Sequence, residues 1–314
     1  MSDFSNPIFH DAEKARKWLE ARIWSEGPIC SHCSSINEAT LMKGKSHRPG
    51  LYQCNSCREP FTVTVGTLYE RSKVPLNKWL AATHLMMASK KGMSALEVGR
   101  LLSLSKKTAW FLCHRIRESL RETNPSPIGG ENKVVEVDET YVGGKETNKH
   151  ISKRKRGQQG GKGKEAVVAL VERDGRMRSH HVAKVNSRTL KPILKAHIDQ
   201  KSYLMTDESK VYLPIAPAFS GHDTVNHSIE EYVRGGFWHT NTVEGYFSIF
   251  KRGVVGTFHH VSQQHLKRYL AEFDFRYNER EALGVGDFAR MAKSIPGIVG
   301  KRLTYRRVGQ SANA

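Results

Sequence analysis

The hydrophobic pattern of this chain changes its period several times, and each change marks an element. From about residue 7 to 24, Ala15, Trp18, Leu19, Ile23 and Trp24 stand among charges at helical spacing. The stretch LYQCNSCREPFTVTVGT, ending near residue 67, alternates instead and reads as short strands. Pro75 opens PLNKWLAATHLMMASKK, where Leu76, Trp79, Leu80, Thr83 and Met87 return to helical spacing. Ser94 and Glu97 have the form of a capping box and start a helix ending near Leu102. A turn over Ser103, Leu104 and Ser105 leads into a second helix, KKTAWFLCHRIRESLRE. After the Pro- and Gly-rich break NPSPIGG, residues 124–130, the pattern becomes strand-like. Lys133 to Glu139 is a β-branched run, and AVVALVERDGRMRSHHVA predicts a hairpin turning at Asp174-Gly175. SRTLKPILKAHI, residues 187–198, predicts a helix, SYLMTD, residues 202–207, a strand, and residues 223–228 a further strand. Two helical runs follow, one within His239 to Gly253 and one over residues 263–278, before Pro296 and a polar, basic end.

Three strands, a helix, a strand and then helices is a mixed α/β order resembling the ribonuclease H-like arrangement. The expected fold is therefore a ribonuclease H-like mixed sheet with flanking helices, preceded by a small zinc ribbon and a helix-turn-helix. The expected divisions are a helix over 1–24, a zinc ribbon over 25–66, and a helical DNA-binding region over 67–123. A catalytic domain over 131–283 and a basic tail over 284–314 complete the chain. The helix pair before the break resembles a helix-turn-helix, whose second helix would enter the major groove with Lys106, Lys107 and Thr108 nearest the bases. A plain helical hairpin gives the same pattern, and the basic residues at the start of the second helix favour DNA.

Charge sharpens this picture. The 314 residues carry 50 Lys+Arg against 31 Asp+Glu, a net +19 with a pI near 9.8. Such a surplus attracts polyanions, nucleic acid ahead of anionic membrane, since no apolar window approaches the length of a membrane span. The polar start MSDFSNPIFHDAEK does not resemble a signal peptide, so a soluble, intracellular protein is expected. Residues 145–164 concentrate the charge: Lys145, Lys149, Lys153, Arg154, Lys155, Arg156, Lys162 and Lys164 face a single acid, Glu146. This segment predicts a mobile basic loop that contacts phosphate, with Lys153, Arg154, Lys155 and Arg156 at its centre. It lacks a G-x-x-x-x-G-K-[ST] sequence, so no nucleotide-binding loop of that type is expected. Four of the five cysteines form two C-x-x-C knuckles, Cys30 with Cys33 and Cys54 with Cys57. That spacing can supply four thiolates to one structural zinc, and a segment of this length cannot bury a core unaided. Cys113, in a helical run, reads as a buried structural thiol.

The acids suggest chemistry. Glu244 and Lys251 stand seven residues apart in HTNTVEGYFSIFKRG, so both project from one helix face. Tyr246, Phe247, Ile249 and Phe250 would pack that helix, and His239 would either touch a phosphate or cap the helix, the cap being favoured. The strand over 133–139 offers Glu136 and Asp138 on one face and Glu139 on the other, and the strand over 202–207 ends in Asp207 with Glu208 beyond. An acid at a strand end is rigidly held yet open to ligand, which favours Asp138 and Asp207. Converging carboxylates offer hard oxygen ligands that select magnesium or manganese. Two such ions can clamp the attacking and leaving oxygens of a phosphoryl transfer.

VDETYVGGK (137–145), LMTDES (204–209), HTNTVEGYFSIFKRGVVGTFHHVS (239–262) and LKRYLAEFDFRYNER (266–280) together resemble a DDE transposase of prokaryotic insertion sequences. The paired knuckles place the resemblance in the subgroup with an N-terminal zinc ribbon, and it covers residues from about 9 to 280. It implies that Asp138, Asp207 and Glu244 are catalytic acids holding two magnesium or manganese ions. Lys251 matches the family's basic residue after the third acid, and Asn241 stands on the same helix face as Glu244. The implied partners are double-stranded DNA, as terminal inverted repeats and target. The implied assembly is a homo-oligomer on DNA, and the implied location is the prokaryotic cytoplasm in association with the nucleoid. Two other classes fit the same residues: a sequence-specific DNA-binding regulator with an inactive core, and a ribonuclease H-like nuclease or resolvase.

Overall fold

The computed structural model describes residues 3–144, 150–154, 163–225 and 239–304. In chain order its elements are α1 (Ala12–Ile23), β1 (Ala39–Leu41), β2 (Tyr52–Cys54), β3 (Pro60–Phe61) and α2 (Leu76–Ala88). Then come α3 (Ala95–Leu101), α4 (Lys106–Ser119), β4 (Val134–Val142), β5 (Glu165–Glu172), β6 (Met177–Val182) and α5 (Ser187–His197). The last are β7 (Tyr203–Asp207), β8 (Gly221–Val225), α6 (Asn241–Gly253), α7 (Gln263–Asn278) and α8 (Asp287–Ser294). No helix among the described residues is long and apolar enough to cross a membrane. The chain divides into two compact units, one of Met1–Ser89, Met93–Arg121 and Arg280–Ala314, the other of Lys90–Gly92 and Glu122–Glu279.

In the first unit, Asp11 starts α1 by accepting the backbone N–H groups of Glu13 and Lys14, which have no intrahelical acceptor. Strands β1, β2 and β3 form a small antiparallel sheet, with Ala39 opposite Cys54 and Tyr52 opposite Phe61. Ser94 caps α3 through the Glu97 N–H, and Ser105 caps α4 through the Thr108 N–H. The turn between them places Ser103 at φ 50°, in the left-handed region. Gly99 lets the two helices approach, because a Cβ there would stand 3.2 Å from the Ala109 Cβ. The described part of the basic tail expected over 284–314 is not a tail, and residues 305–314 lie outside the described residues. DFARMAKS folds as α8, whose Met291 and Ala292 are buried, and α8 packs on α2.

The second unit is built on a five-stranded sheet ordered β6-β5-β4-β7-β8. β4, β5 and β6 are an antiparallel meander, while β7 and β8 run parallel to β4. The hairpin between β5 and β6 turns at Asp174, at φ 56°. β8 begins two residues before the strand expected at 223, and residues 226–228 lie outside the described residues. The sheet buries both faces, which is why β5 reads as an unbroken apolar run rather than an alternation. On one face Val167, Ala169 and Val171 pack against Val243, Phe247 and Phe250 of α6 and Leu266, Leu270 and Phe273 of α7. On the other, Val135, Val137, Val168 and Leu170 pack against Leu190 and Leu194 of α5.

Candidate active site

Strand β4 carries the first residues of the site, and its alternation decides their surroundings. Val135 and Val137 turn to the α5 face and Val142 to the α6–α7 face, so Glu136 and Asp138 also turn toward α6 and α7. Glu136 is 0% exposed. Its Oε1 accepts from Arg173 Nε at 2.7 Å and from Thr242 Oγ1 at 2.9 Å, and its Oε2 accepts the N–H groups of Thr242 at 2.9 Å and Val243 at 3.0 Å. Those amides lie in the first turn of α6, where the helix supplies no acceptor and its dipole favours negative charge. A buried carboxylate that is both paired and fully hydrogen-bonded is tolerable. The sequence reading gives the cap of this helix to His239, and the structure corrects it. His239 Nδ1 lies 3.3 Å from Glu136 Oε1, its carbonyl accepts Arg173 Nη2 at 2.7 Å, and the capping carboxylate comes from β4.

Asp138 follows two positions along the same face. The parallel register pairs Val134 with Tyr203, Val135 with Leu204 and Glu136 with Met205. Asp138 on β4 and Asp207 on β7 each stand two residues beyond the last of these pairs, toward the same end of the sheet. Burial pushes the Asp138 carboxyl up to about 7; the Glu139 N–H, 2.7 Å from Oδ1, works against this, and the charges of Glu139, Asp207 and Glu244 add to it.

Glu244 stands in the first turn of α6, exposed, and accepts the Thr240 hydroxyl at 3.3 Å. Lys251 is exposed two turns on, so the two share the face opposite Val243, Tyr246, Phe247 and Phe250. Asn241 is also exposed.

Two further half-buried acids belong to the second unit: Glu139, which the sequence places on the opposite face of β4, and Asp274, which the sequence does not single out. Glu139 turns to the other face of β4, where the Tyr212 hydroxyl donates to its Oε2 at 2.5 Å. Burial raises its pKa, the tyrosine opposes this, and the charge of Asp207 adds to the rise. Asp274, on α7, accepts from Ser179 Oγ at 2.7 Å, Ser179 N–H at 2.8 Å and the Tyr246 hydroxyl at 2.8 Å. It thereby ties β6, α6 and α7 together, and burial lifts it to about 6 against the two Ser179 bonds. Its signal in the sequence is an acid flanked by aromatics, EFDFRY, at an inward helix position.

The four knuckle cysteines meet in the first unit. Sγ of Cys30 lies 3.7 Å from that of Cys57, Sγ of Cys33 lies 3.6 Å from that of Cys54, and all four lie within 4.8 Å of one another. Sulfurs about 2.3 Å from a central zinc would be about 3.8 Å apart at the corners of a tetrahedron, so the donor set fits one ion. The Cys57 N–H and then the Ser35 hydroxyl lower the Cys54 thiol to about 5, which suits a thiolate ligand. Among the described residues Asp138, Asp207 and Glu244 do not converge this closely. Cys113 is buried within α4.

Lys106 and Lys107 are exposed in the first turn of α4, and Thr108 is half-buried beside them. Of the basic segment, Arg154 is exposed just after a short 3-10 turn, Ile151–Lys153, while Lys155 and Arg156 lie outside the described residues.

Comparison with known proteins adds to this geometry. Residues 129–278 match the ISXO2-like transposase domain, and residues 10–59 match the transposase zinc-ribbon domain. A protein of Halobacterium salinarum (strain ATCC 700922 / JCM 11081 / NRC-1), described as an uncharacterized protein in transposable element ISH50, is 28% identical over 279 residues. The alignment spans 85% of this chain and 91% of that protein. A chain in the cryo-EM structure of the simian T-cell lymphotropic virus intasome in complex with PP2A regulatory subunit B56 gamma is 11% identical. It covers 56% of this chain and 67% of its own, and its TM-score of 0.27 is too low to bear on the fold.

Proposed function

This chain is a transposase-family protein, a transposase zinc ribbon followed by an ISXO2-like transposase domain, and we propose that it cuts and joins the DNA of its own mobile element. The substrate is duplex DNA carrying the element's terminal inverted repeats. The observation that carries the reading is the parallel β4–β7 register, in which Asp138 and Asp207 each lie two residues past the last pair, toward one end of the sheet. The strand order, an antiparallel meander continued by two parallel strands, supports a ribonuclease H-like core. The capped pair α3 and α4, joined by a tight turn, supports a helix-turn-helix in which Lys106, Lys107 and Thr108 face the bases.

Asp138, Asp207 and Glu244 form a hard oxygen donor set suited to magnesium or manganese. Asp138, Asp207 and Glu244 would hold two such ions between them. When bound, such ions polarise the phosphate and make water a nucleophile at neutral pH. The protein's own part is positional. The two strands hold Asp138 and Asp207 at fixed spacing, and the Glu136 anchor holds the start of α6, and so Glu244, against β4. Lys251, on the same helix face, holds a phosphate oxygen, while Lys153, Arg154, Lys155 and Arg156 bind backbone. In the first step water attacks phosphorus in line and the bond to the leaving 3′-oxygen breaks, releasing a 3′-hydroxyl. In the second that hydroxyl attacks a target phosphodiester, displacing another 3′-oxygen, so one geometry serves both.

The test uses end-labelled inverted-repeat duplex with magnesium. Wild type is expected to nick at the element's end, and Asp207→Asn is expected to fall by at least about 100-fold. A variant that cuts as well as wild type sinks the three-acid site. Joined products distinguish a transposase from a nuclease or resolvase, and cutting of any kind rules out a regulator with an inactive core.

A further inference from the structure

Beside the first turn of α4 the first unit holds a cavity of about 360 Å³, within the range of about 300–1,000 Å³ typical of small-ligand sites. One wall is the segment Arg71–Val74 and the other is α4. Arg71, Lys73, Lys107 and Arg115 line it, and none of its lining residues is an acid. The floor is apolar, formed by Val74, Phe111 and Leu112 with Trp79 beneath.

Arg115 is held in place. Arg115 donates through Nε to the Leu303 carbonyl at 3.2 Å and through Nη1 to the Glu70 carbonyl at 3.3 Å, and its guanidinium carbon lies 4.7 Å from the centre of the Phe111 ring. The Arg71–Val74 wall is fixed by Ser72 Oγ, which accepts from Trp79 Nε1 at 3.0 Å and from the Val74 N–H at 3.1 Å. The nearest acid, Glu70, turns to the Gly66 N–H at 3.1 Å and meets Arg71 Nε at 3.5 Å outside the cavity. Burial, and then the charge of Arg302, lower the Arg115 pKa from its usual value, with Glu70 opposing only in part. Positive potential therefore remains in the cavity. An anionic group with an apolar face satisfies both its wall and its floor, and a deoxyribose with its phosphate is such a group.

We propose that this cavity seats one sugar–phosphate of the DNA backbone, beside the duplex that α4 engages. The proposal rests on the reading that the chain binds DNA, and adds where the backbone is gripped. A contact of this kind fixes register and orientation and carries no sequence information. Lys107 and Thr108, which line the cavity, join this backbone contact to the first turn of α4 that would read bases. Its sequence signal is weak, because Arg71 and Lys73 stand in an irregular loop more than thirty residues before α4.

The experiment measures binding of the full, zinc-loaded chain to an inverted-repeat duplex and to a scrambled duplex of equal length, each over a series of salt concentrations. Arg71→Gln/Lys73→Gln alters two exposed side chains and leaves Arg115, which also braces the fold. Equal zinc content and an unchanged thermal transition establish that the variant is folded. The expected result is about a tenfold loss of affinity on both duplexes and a log–log salt slope shallower by about 1. Arg71→Lys/Lys73→Arg, which keeps the charges, is expected to retain the wild-type slope. Unchanged affinity and slope in the glutamine variant overturn the proposal, as does a loss confined to the inverted repeat. Wild type that binds neither duplex overturns the DNA-binding reading itself, and the cavity's role with it.

Discussion

At the scale of single residues, a histidine away from the acids makes the sharpest forecast. His180 on β6 packs against His197, their ring centres 4.5 Å apart, and its buried Nε2 has no hydrogen-bond partner among the described residues. Burial lowers its pKa from 6.5 to about 4, with His197 and Arg178 pushing the same way. Between those values the unfolded chain takes up a proton that the folded chain refuses. The stability His180 contributes is therefore fully present above 6.5 and is lost as pH falls toward 4. Two pKa units and more correspond to about 2 kcal/mol of that loss between about pH 7 and about pH 5. Asp138 and Asp274 have raised values and act in the opposite direction, so the comparison must be with a variant rather than with wild type alone. His180→Phe removes the titration and an unpartnered polar atom together. Urea unfolding at the two pH values is expected to show its advantage over wild type growing by about 2 kcal/mol toward acid. Parallel losses in the two proteins would mean that burial does not hold this imidazole neutral.

Among the elements, α6 matters most, and Glu136 explains how it is set. Glu136→Gln keeps the size but removes the charge that faces Arg173 and the first amides of the helix. One partner of a buried pair left alone costs about 3–5 kcal/mol, and removing both costs less. Denaturant unfolding is expected to show Glu136→Gln destabilised by about 3 kcal/mol, and Arg173→Gln added to it is expected to restore part of the loss. Strictly additive losses would refute the pairing. This anchor also marks how far the sequence can be read. Alternation puts Glu136 and Asp138 on one face of β4, but nothing local says which of them is buried and which lines a site. The deciding contact is with Thr242 and Val243, more than a hundred residues away. The elements themselves were legible wherever the pattern was local: the Asp174 turn, the Ser94 cap, the turn over residues 103–105, and the paired cysteine knuckles. The ribbon carries its own forecast. A core of three short strands cannot hold itself, so purified chain is expected to carry about one zinc, and Cys33→Ser is expected to lose both the metal and the ribbon's ordered structure. Intact protein free of zinc would contradict this.

At the scale of the molecule, the path of the chain is what the hydrophobic pattern could not reveal. DFARMAKS is only eight residues long, and its buried face makes sense only against α2, some two hundred residues earlier in the chain. The first unit is thus assembled from both ends of the sequence. Arg290 donates to the Met87 carbonyl at 3.0 Å and the Val285 carbonyl at 2.9 Å, and Lys301 Nζ reaches the Ser119 carbonyl at 3.0 Å at the end of α4. A cation there answers both the unpaired carbonyls and the negative end of the helix dipole. Gly297 crosses the same point, where a Cβ would come 2.2 Å from the Ser119 carbonyl oxygen, so only glycine fits. Ending the chain after Glu279 leaves every strand of the five-stranded sheet intact but strips these supports from α2 and α4. Such a chain is expected to keep the unfolding transition of the second unit and to lose or strongly lower that of the first, with duplex affinity falling alongside. Met291→Ala in the full chain gives the graded version, because Met291 is 0% exposed and truncating a core methionine costs about 2–5 kcal/mol. If the shortened chain melted like the full one and bound duplex DNA equally well, residues 280–304 would be an appendage after all. If it failed in the first unit alone and lost duplex affinity with it, the first unit, to which we assign DNA binding, would depend on a segment encoded after the whole of the second.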